Sequence, residues 1–200
     1  MHIMKITAKI IFILIFTLEA SSLFSNENYT IKIGNNKAKV TVKVFSSLTC
    51  PHCATFHLNV FEKLKKDFVD KNKVLFIHYG FPLDLAALSG EKLLRCGTNQ
   101  NDNLNFMSEI YKKQRSWAVG SDINNINDSL MEIGKKYNLE KNQMNKCLKN
   151  ENIQQQVLTE RIDAQKKYRI DSTPTIFINE KKYLGKFDYK TFKKEIEKLL

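Results

Sequence analysis

Cys50-Pro51-His52-Cys53 is the stretch whose residue types and spacing can do chemistry. Two intervening residues place both sulfurs within one helical turn, close enough to make and break a small-ring disulfide. Such a pair exchanges electrons with other thiols, because the thiolate is the attacking species. It lies where a valine-rich stretch, Val40 to Phe45, gives way to a run with helical periodicity. A cysteine at that junction meets the unpaired N–H groups and positive dipole end of a helix, which favour an anion. Pro51 suits the first helical position, where its missing N–H would lack an intrahelical partner anyway. His52 adds a donor that can be cationic beside the same sulfur. These features favour a thiolate at Cys50 and leave Cys53, further into the helix, as the buried resolving thiol. Stabilising the thiolate stabilises the dithiol, so the disulfide becomes more oxidising, by roughly 30 mV for each pKa unit.

Two other chemistries compete for the same residues. A lone C-x-x-C is also half of a zinc or copper site, but Cys96 and Cys147 stand isolated and no second C-x-x-C or H-x-H pair supplies the remaining ligands. No metal site is therefore assigned, and a metal-binding module stays as an alternative. His57, one turn beyond Cys53, and His78, near the end of an apolar run, are given no catalytic role. Thr173-Pro174-Thr175 is the second informative element. A proline directly before the apolar run Ile176 to Ile178 cannot donate to a ladder and belongs at the first position of a strand. Beside reactive thiols, it would leave neighbouring backbone free for an extended substrate.

The elements that must hold these residues follow from periodicity. Tyr29 to Ile33 suggests a short strand, Gly34 to Asn36 a turn, and Val40 to Phe45 a central strand. Phe56, Val60, Leu64 and Phe68 recur every four positions and give a helix with one buried stripe. Val74 to Tyr79 is another strand. From Asp84 to about Asn150 every periodic segment is helical, as in Leu104, Met107, Ile110 and Tyr111 or in Ile123, Ile126, Leu130, Ile133 and Tyr137. A further helix carries Ile153, Val157, Ala164 and Tyr168. Thr175 to Ile178 and Lys182 to Leu184 make two short strands around Asn179-Glu180. Tyr189, Phe192, Ile196 and Leu199 end the chain as an amphipathic helix. With the helical block removed, the order is that of an α/β thioredoxin fold.

Composition limits the rest. At 200 residues with 42% apolar side chains, there is ample material for a core. The net charge of +11 could suggest nucleic acid, but the lysines are scattered over solvated helix faces and no nucleic-acid motif accompanies them. Four cysteines are too few for a disulfide scaffold. The apolar run Ile10 to Leu18, preceded by Lys5 and Lys9 and followed by Ala20, Ser21 and Ser22, is about half of the ~20 residues that span a bilayer. It favours a cleaved secretory signal over residues 1–22 rather than an anchor, and hence export to an oxidising compartment.

Taken together, the chain resembles the DsbA family of thioredoxin-fold disulfide oxidoreductases, of the alphaproteobacterial type. The resemblance is carried by Ile33-Gly34-Asn35-Asn36-Lys37-Ala38, Ser47-Leu48-Thr49-Cys50-Pro51-His52-Cys53, Phe81-Pro82-Leu83, Cys96, Cys147-Leu148 and Thr173-Pro174-Thr175-Ile176-Phe177-Ile178-Asn179. It implies a discontinuous thioredoxin domain, residues 26–82 and 153–200, with an all-helical insertion at residues 83–152. It implies a cis peptide at Pro174, with Thr173 beside the active pair tuning substrate release and redox poise. It also implies a monomeric periplasmic enzyme without cofactor, acting on unfolded exported proteins through a shallow apolar groove near His52 and Thr173. A membrane quinone-coupled partner of the DsbB type would reoxidise it. An isomerase or reductase on the same scaffold is the nearest rival. Relatives usually carry an acidic residue six positions before the first active cysteine, where this chain has Val44. For Cys96 and Cys147, compartment and family resemblance favour a structural disulfide, with two buried thiols or a regulatory pair as alternatives.

Overall fold

The computed structural model describes residues 30–97 and 99–200. The expected signal segment lies outside these residues. The sheet has five strands in the order β1-β3-β2-β4-β5: β1 (Ile31–Ile33), β2 (Val40–Ser46), β3 (Val74–Gly80), β4 (Thr175–Ile178) and β5 (Lys181–Lys182). Central β2 pairs parallel with β3 and antiparallel with β4, while β1 and β5 add antiparallel edges. Together with the helix between β2 and β3, this is the thioredoxin arrangement.

The weak alternation of β2 has a physical cause, because both faces of the sheet are covered. Val42 and Val44 point into the larger cluster with Phe56, Val60, Leu64, Phe76 and Phe192. Phe45 points the other way, into a second cluster with Tyr79, Phe81 and Phe177. Phe45 stacks on Tyr79 with ring centroids 4.7 Å apart. Lys43, almost fully buried, ends against Glu180 at 2.6 Å and Tyr168 at 3.2 Å.

The helical stretch after Cys50 alternates between two kinds of turn. It runs as α1 (Pro51–Phe56), a π turn His57–Phe61, α2 (Glu62–Leu64) and a second π turn Lys65–Val69. A strict step of four overshoots a 3.6-residue turn by about 40° each time. The wider π turns, with i→i+5 bonds, undershoot and bring the stripe back. Phe56, Val60, Leu64 and Phe68 therefore all stay on the core face.

Between β3 and β4 lie α3 (Leu85–Leu94), α4 (Gln100–Lys112), α5 (Gln114–Trp117), α6 (Ile123–Gly134), α7 (Lys141–Lys149) and α8 (Glu151–Tyr168). Side-chain oxygens of Asp84, Asn99, Asp122 and Asn150 cap four of these helices at their N-termini. The last hairpin turns at Asn179 and Glu180, both at positive φ, as a two-residue loop between right-twisted strands requires. Its second strand falls at Lys181–Lys182 rather than Lys182 to Leu184, so Leu184 is exposed instead of paired. Finally, α9 (Tyr189–Glu197) buries Phe192 and Ile196. Among the described residues no helix is long and apolar enough to cross a membrane.

Candidate active site

The two cysteines stand where β2 hands over to α1. Cys50 is the N-cap and Pro51 opens the helix, with Ala54 N–H donating to the Cys50 carbonyl at 3.1 Å. Both sulfurs are unbridged thiols, and Cys53 is the more deeply buried. Across the chain, the Thr173–Pro174 peptide is cis, and Cys50 Sγ lies 3.3 Å from the Thr173 carbonyl oxygen. Pro174 directly precedes β4, whose Thr175 pairs with Phe45 near the end of β2. That pairing brings Thr173 to the sulfurs.

The pair is electrostatically split. A hydrogen bond from the Cys53 thiol is the largest influence lowering the Cys50 pKa. Burial opposes it, and the Thr173 hydroxyl and the backbone N–H groups of Cys53 and His52 add to the lowering. The pKa comes down from 9.0 to about 5. Burial pushes the Cys53 thiol far up, and its hydrogen bond to Cys50 and the Cys50 charge push the same way. One sulfur is thus an anion at neutral pH while its neighbour keeps a proton, the division of labour that nucleophilic exchange needs.

His52 adjoins Cys50 at the first turn of α1. Its side chain is exposed, and what it supplies to Cys50 is its backbone N–H. His57 and His78 are both buried and partnered: His57 Nε2 lies 2.8 Å from Ser108 Oγ, and His78 Nε2 lies 3.2 Å from Glu91 Oε1. Val44, in place of a carboxylate, packs in the core as the register partner of His78. Cys96 and Cys147 are joined by a disulfide that ties the end of α3 to α7.

Several groups that serve the site gave no local signal in the chain. Gln114, nearly buried, donates through Nε2 to the carbonyls of Leu48 at 2.8 Å and Cys50 at 3.0 Å. Thr49 donates to Asp84 Oδ2 at 2.7 Å, and the other oxygen of Asp84 accepts from Ala87 N–H at 2.7 Å. Leu83 N–H reaches Ser47 Oγ at 3.3 Å. The loop leading to Cys50 is therefore laced to the helices that follow β3. Glu91 interrupts an otherwise apolar helix face, which is the one visible hint of its buried role.

Comparison with known proteins places this geometry. A family model described as thioredoxin matches residues 26–198. Disulfide bond formation protein D of Bacillus subtilis is 30% identical, with 84% of this chain and 76% of that protein covered. The crystal structure of Wolbachia pipientis alpha-DsbA1 superposes with a TM-score of 0.77 at 31% identity, covering 84% of this chain and 89% of that one. Oxidised BdbD from Bacillus subtilis superposes at 0.73 with 26% identity, covering 86% and 93%. A relative from Rickettsia typhi is 29% identical over 78% of this chain, and the chain spans only 57% of that relative's length. Taken with the Cys50–Cys53 pair and Thr173 beside it, these likenesses make the chain a member of the DsbA family of thioredoxin-fold proteins.

Proposed function

We propose that the protein is a thiol:disulfide oxidoreductase that introduces disulfides into exported proteins. The observation that carries this reading is the split pair, a Cys50 pKa near 5 beside a Cys53 thiol held protonated. A thiolate stabilised in the dithiol state drives the disulfide toward accepting electrons. In the forward step a substrate thiolate attacks Cys50 of the Cys50–Cys53 disulfide, and Cys53 leaves with the electron pair and takes up a proton. A second substrate thiolate then attacks the substrate sulfur of the mixed disulfide and expels Cys50 as the stabilised thiolate. Unfolded exported chains are the substrates, in the periplasm, with a quinone-coupled membrane protein of the DsbB type as reoxidant and the enzyme monomeric. Exposed Leu83 and Leu85 flank the loop held by Ser47, Thr49 and Asp84, and so offer apolar surface beside the turn that leads to Cys50. The helices of residues 83–152 form an insertion that carries this surface.

A titration of the purified protein against glutathione buffers tests the proposal, with Cys96 and Cys147 replaced in a parallel sample. An equilibrium well on the oxidising side of thioredoxin, together with catalysed oxidation of a reduced unfolded protein, is the expected result. A potential near thioredoxin would instead make the chain a reductase or isomerase. Stoichiometric metal retention by Cys50 and Cys53 without dithiol turnover would make it a metal-binding module.

A further inference from the structure

The β4–β5 hairpin and the end of α9 enclose a groove of about 400 Å³, within the size range of sites that accept a ligand. Ile178, Tyr183, Leu184 and Leu199 give it apolar walls, and Lys181, Lys182 and Lys198 add cations to the lining. It lies away from the sulfurs, because Lys181 pairs with Ile178, at the opposite end of β4 from Thr173. β5 is the last strand of the sheet, and among the described residues no strand pairs with its outer side. Leu184 is 88% exposed, yet the loop that carries it is fixed. The Tyr183 hydroxyl donates to the Lys186 carbonyl at 2.7 Å, and it lies so close to Gly185 that a Cβ there would sit 2.4 Å from its oxygen. The closed loop holds the leucine outward.

The carboxylates nearby are already engaged. Glu195, also in the lining, pairs with Lys198 at 2.6 Å, and Glu180 pairs with Lys43 at 2.6 Å. Asp171 lies 3.8 Å from Lys182, and Asp188 caps α9 by accepting from the N–H and hydroxyl of Thr191. Lys181, Lys190 and Lys194 are exposed and make no ion pair among the described residues. The groove therefore sets apolar walls in a positive field. A second copy paired edge to edge would bring Lys181 and Lys182 against themselves, and like charges across strands oppose that pairing. An anionic occupant turns the same lysines into attraction. A lipid surface is broad, whereas a groove beside an open strand edge suits an extended peptide.

We propose that this groove docks an extended segment of a partner chain in which acidic residues alternate with apolar ones. The segment runs beside β5, with its apolar side chains against Tyr183, Leu184 and Leu199 and its carboxylates on Lys181 and Lys182. β4 is four residues long, so at about 3.3 Å per residue the groove begins roughly 13 Å from Thr173, a span that about four extended residues cover. A chain whose cysteine is held at Cys50 therefore reaches the groove with residues a short way along it. Docking itself is independent of the exchange activity proposed above, but the assignment of the segment to a substrate rests on that reading. The protein then favours exported chains that carry acidic, apolar-rich stretches near their cysteines.

The test follows the fluorescence anisotropy of a labelled, cysteine-free peptide of alternating Asp and Val as the full protein is added. Saturable binding that weakens with salt is expected, and a peptide with Ser in place of Asp should bind at least ~tenfold more weakly. Lys181→Glu/Lys182→Glu should weaken binding at least ~tenfold and Leu184→Ser at least ~threefold. Lys146→Glu/Lys149→Glu makes the same charge change at exposed positions of α7 and should stay within about threefold of the parent. In a second arm, with oxidised glutathione as acceptor, a dithiol peptide carrying the acidic block about six residues from its cysteines should be oxidised with a KM at least ~fivefold below that of its Ser counterpart. Lys181→Glu/Lys182→Glu should erase that ratio. Absence of saturable binding, or equal weakening by the two lysine pairs, would overturn the docking site. Pelleting with phosphatidylglycerol vesicles in place of peptide binding would overturn it in favour of a lipid surface. Peptide binding with equal KM values would overturn the assignment to substrates, and peptide binding without oxidation of either dithiol peptide would keep the docking site and overturn the exchange reading.

Discussion

Cys50 Sγ and the Thr173 carbonyl oxygen, 123 residues apart in the chain, meet at 3.3 Å. The contact joins the start of α1 to the segment that leads into β4. It also places the Thr173 hydroxyl, otherwise unpartnered, where it lowers the pKa of both sulfurs.

Cys50 should ionise with a midpoint near 5, read as thiolate absorbance in the far ultraviolet on the reduced protein. Because the folded value lies below the ordinary 9.0, the ionised sulfur stabilises the reduced fold fully above that pH. The contribution is lost progressively as pH falls toward 5. The stability gap between reduced protein and its Cys50→Ala variant should therefore narrow on acidification through this window. A midpoint near that of free cysteine would remove the electrostatic basis for an oxidising pair.

Replacing Thr173 by Val keeps the shape and deletes the hydroxyl. A hydrogen bond to a charged group contributes about 1.5 kcal/mol, so the reduced state loses roughly that much and the potential falls by about 30 mV. Both the Cys50 pKa and the glutathione equilibrium should shift, the former upward and the latter toward the disulfide. Unchanged values would assign the lowering to Cys53 and the backbone alone.

Much of this site was legible because its parts are contiguous. Cys50 to Cys53 and Thr173 to Thr175 each announce a strand–helix or strand boundary from local residue types. The step of four in Phe56, Val60, Leu64 and Phe68 was visible too, but its consequence, α and π turns in alternation, follows only when the stripe must stay on one core face. For His52 the residue type drew attention to the imidazole, while the N–H that reaches the sulfur follows from the helix start and not from the side chain. Gln114 was invisible as a site residue. It arrives from a helix after β3. Its meaning is tertiary.

The Cys96–Cys147 bridge spans 51 positions. Closing a loop of that size restricts the unfolded chain, and the corresponding stabilisation is about 4 kcal/mol in the chain-entropy account, with 2–4 kcal/mol typical of measured bridges. Urea unfolding of a Cys96→Ala/Cys147→Ala variant, with Cys50 and Cys53 held reduced in both proteins, should show a loss in that range. A loss under about 1 kcal/mol would mean that α3 and α7 stay together without it.

Gln114 is the sharper probe of how the helices after β3 support the sulfurs. Its amide donates to two carbonyl oxygens, of Leu48 and Cys50, at a buried position. Gln114→Leu leaves the Leu48 oxygen without that donor and should cost about 1–3 kcal/mol. Gln114→Glu has nearly the same shape but sets a carboxylate against two acceptors, so at neutral pH it should cost more than the leucine. Only the protonated acid can donate, and the folded protein must therefore raise the pKa of the introduced carboxyl. By linkage the deficit relative to the parent shrinks as pH falls below that raised value. A deficit that stays constant from neutral to acidic pH would show that the side chain fills space there without holding the loop.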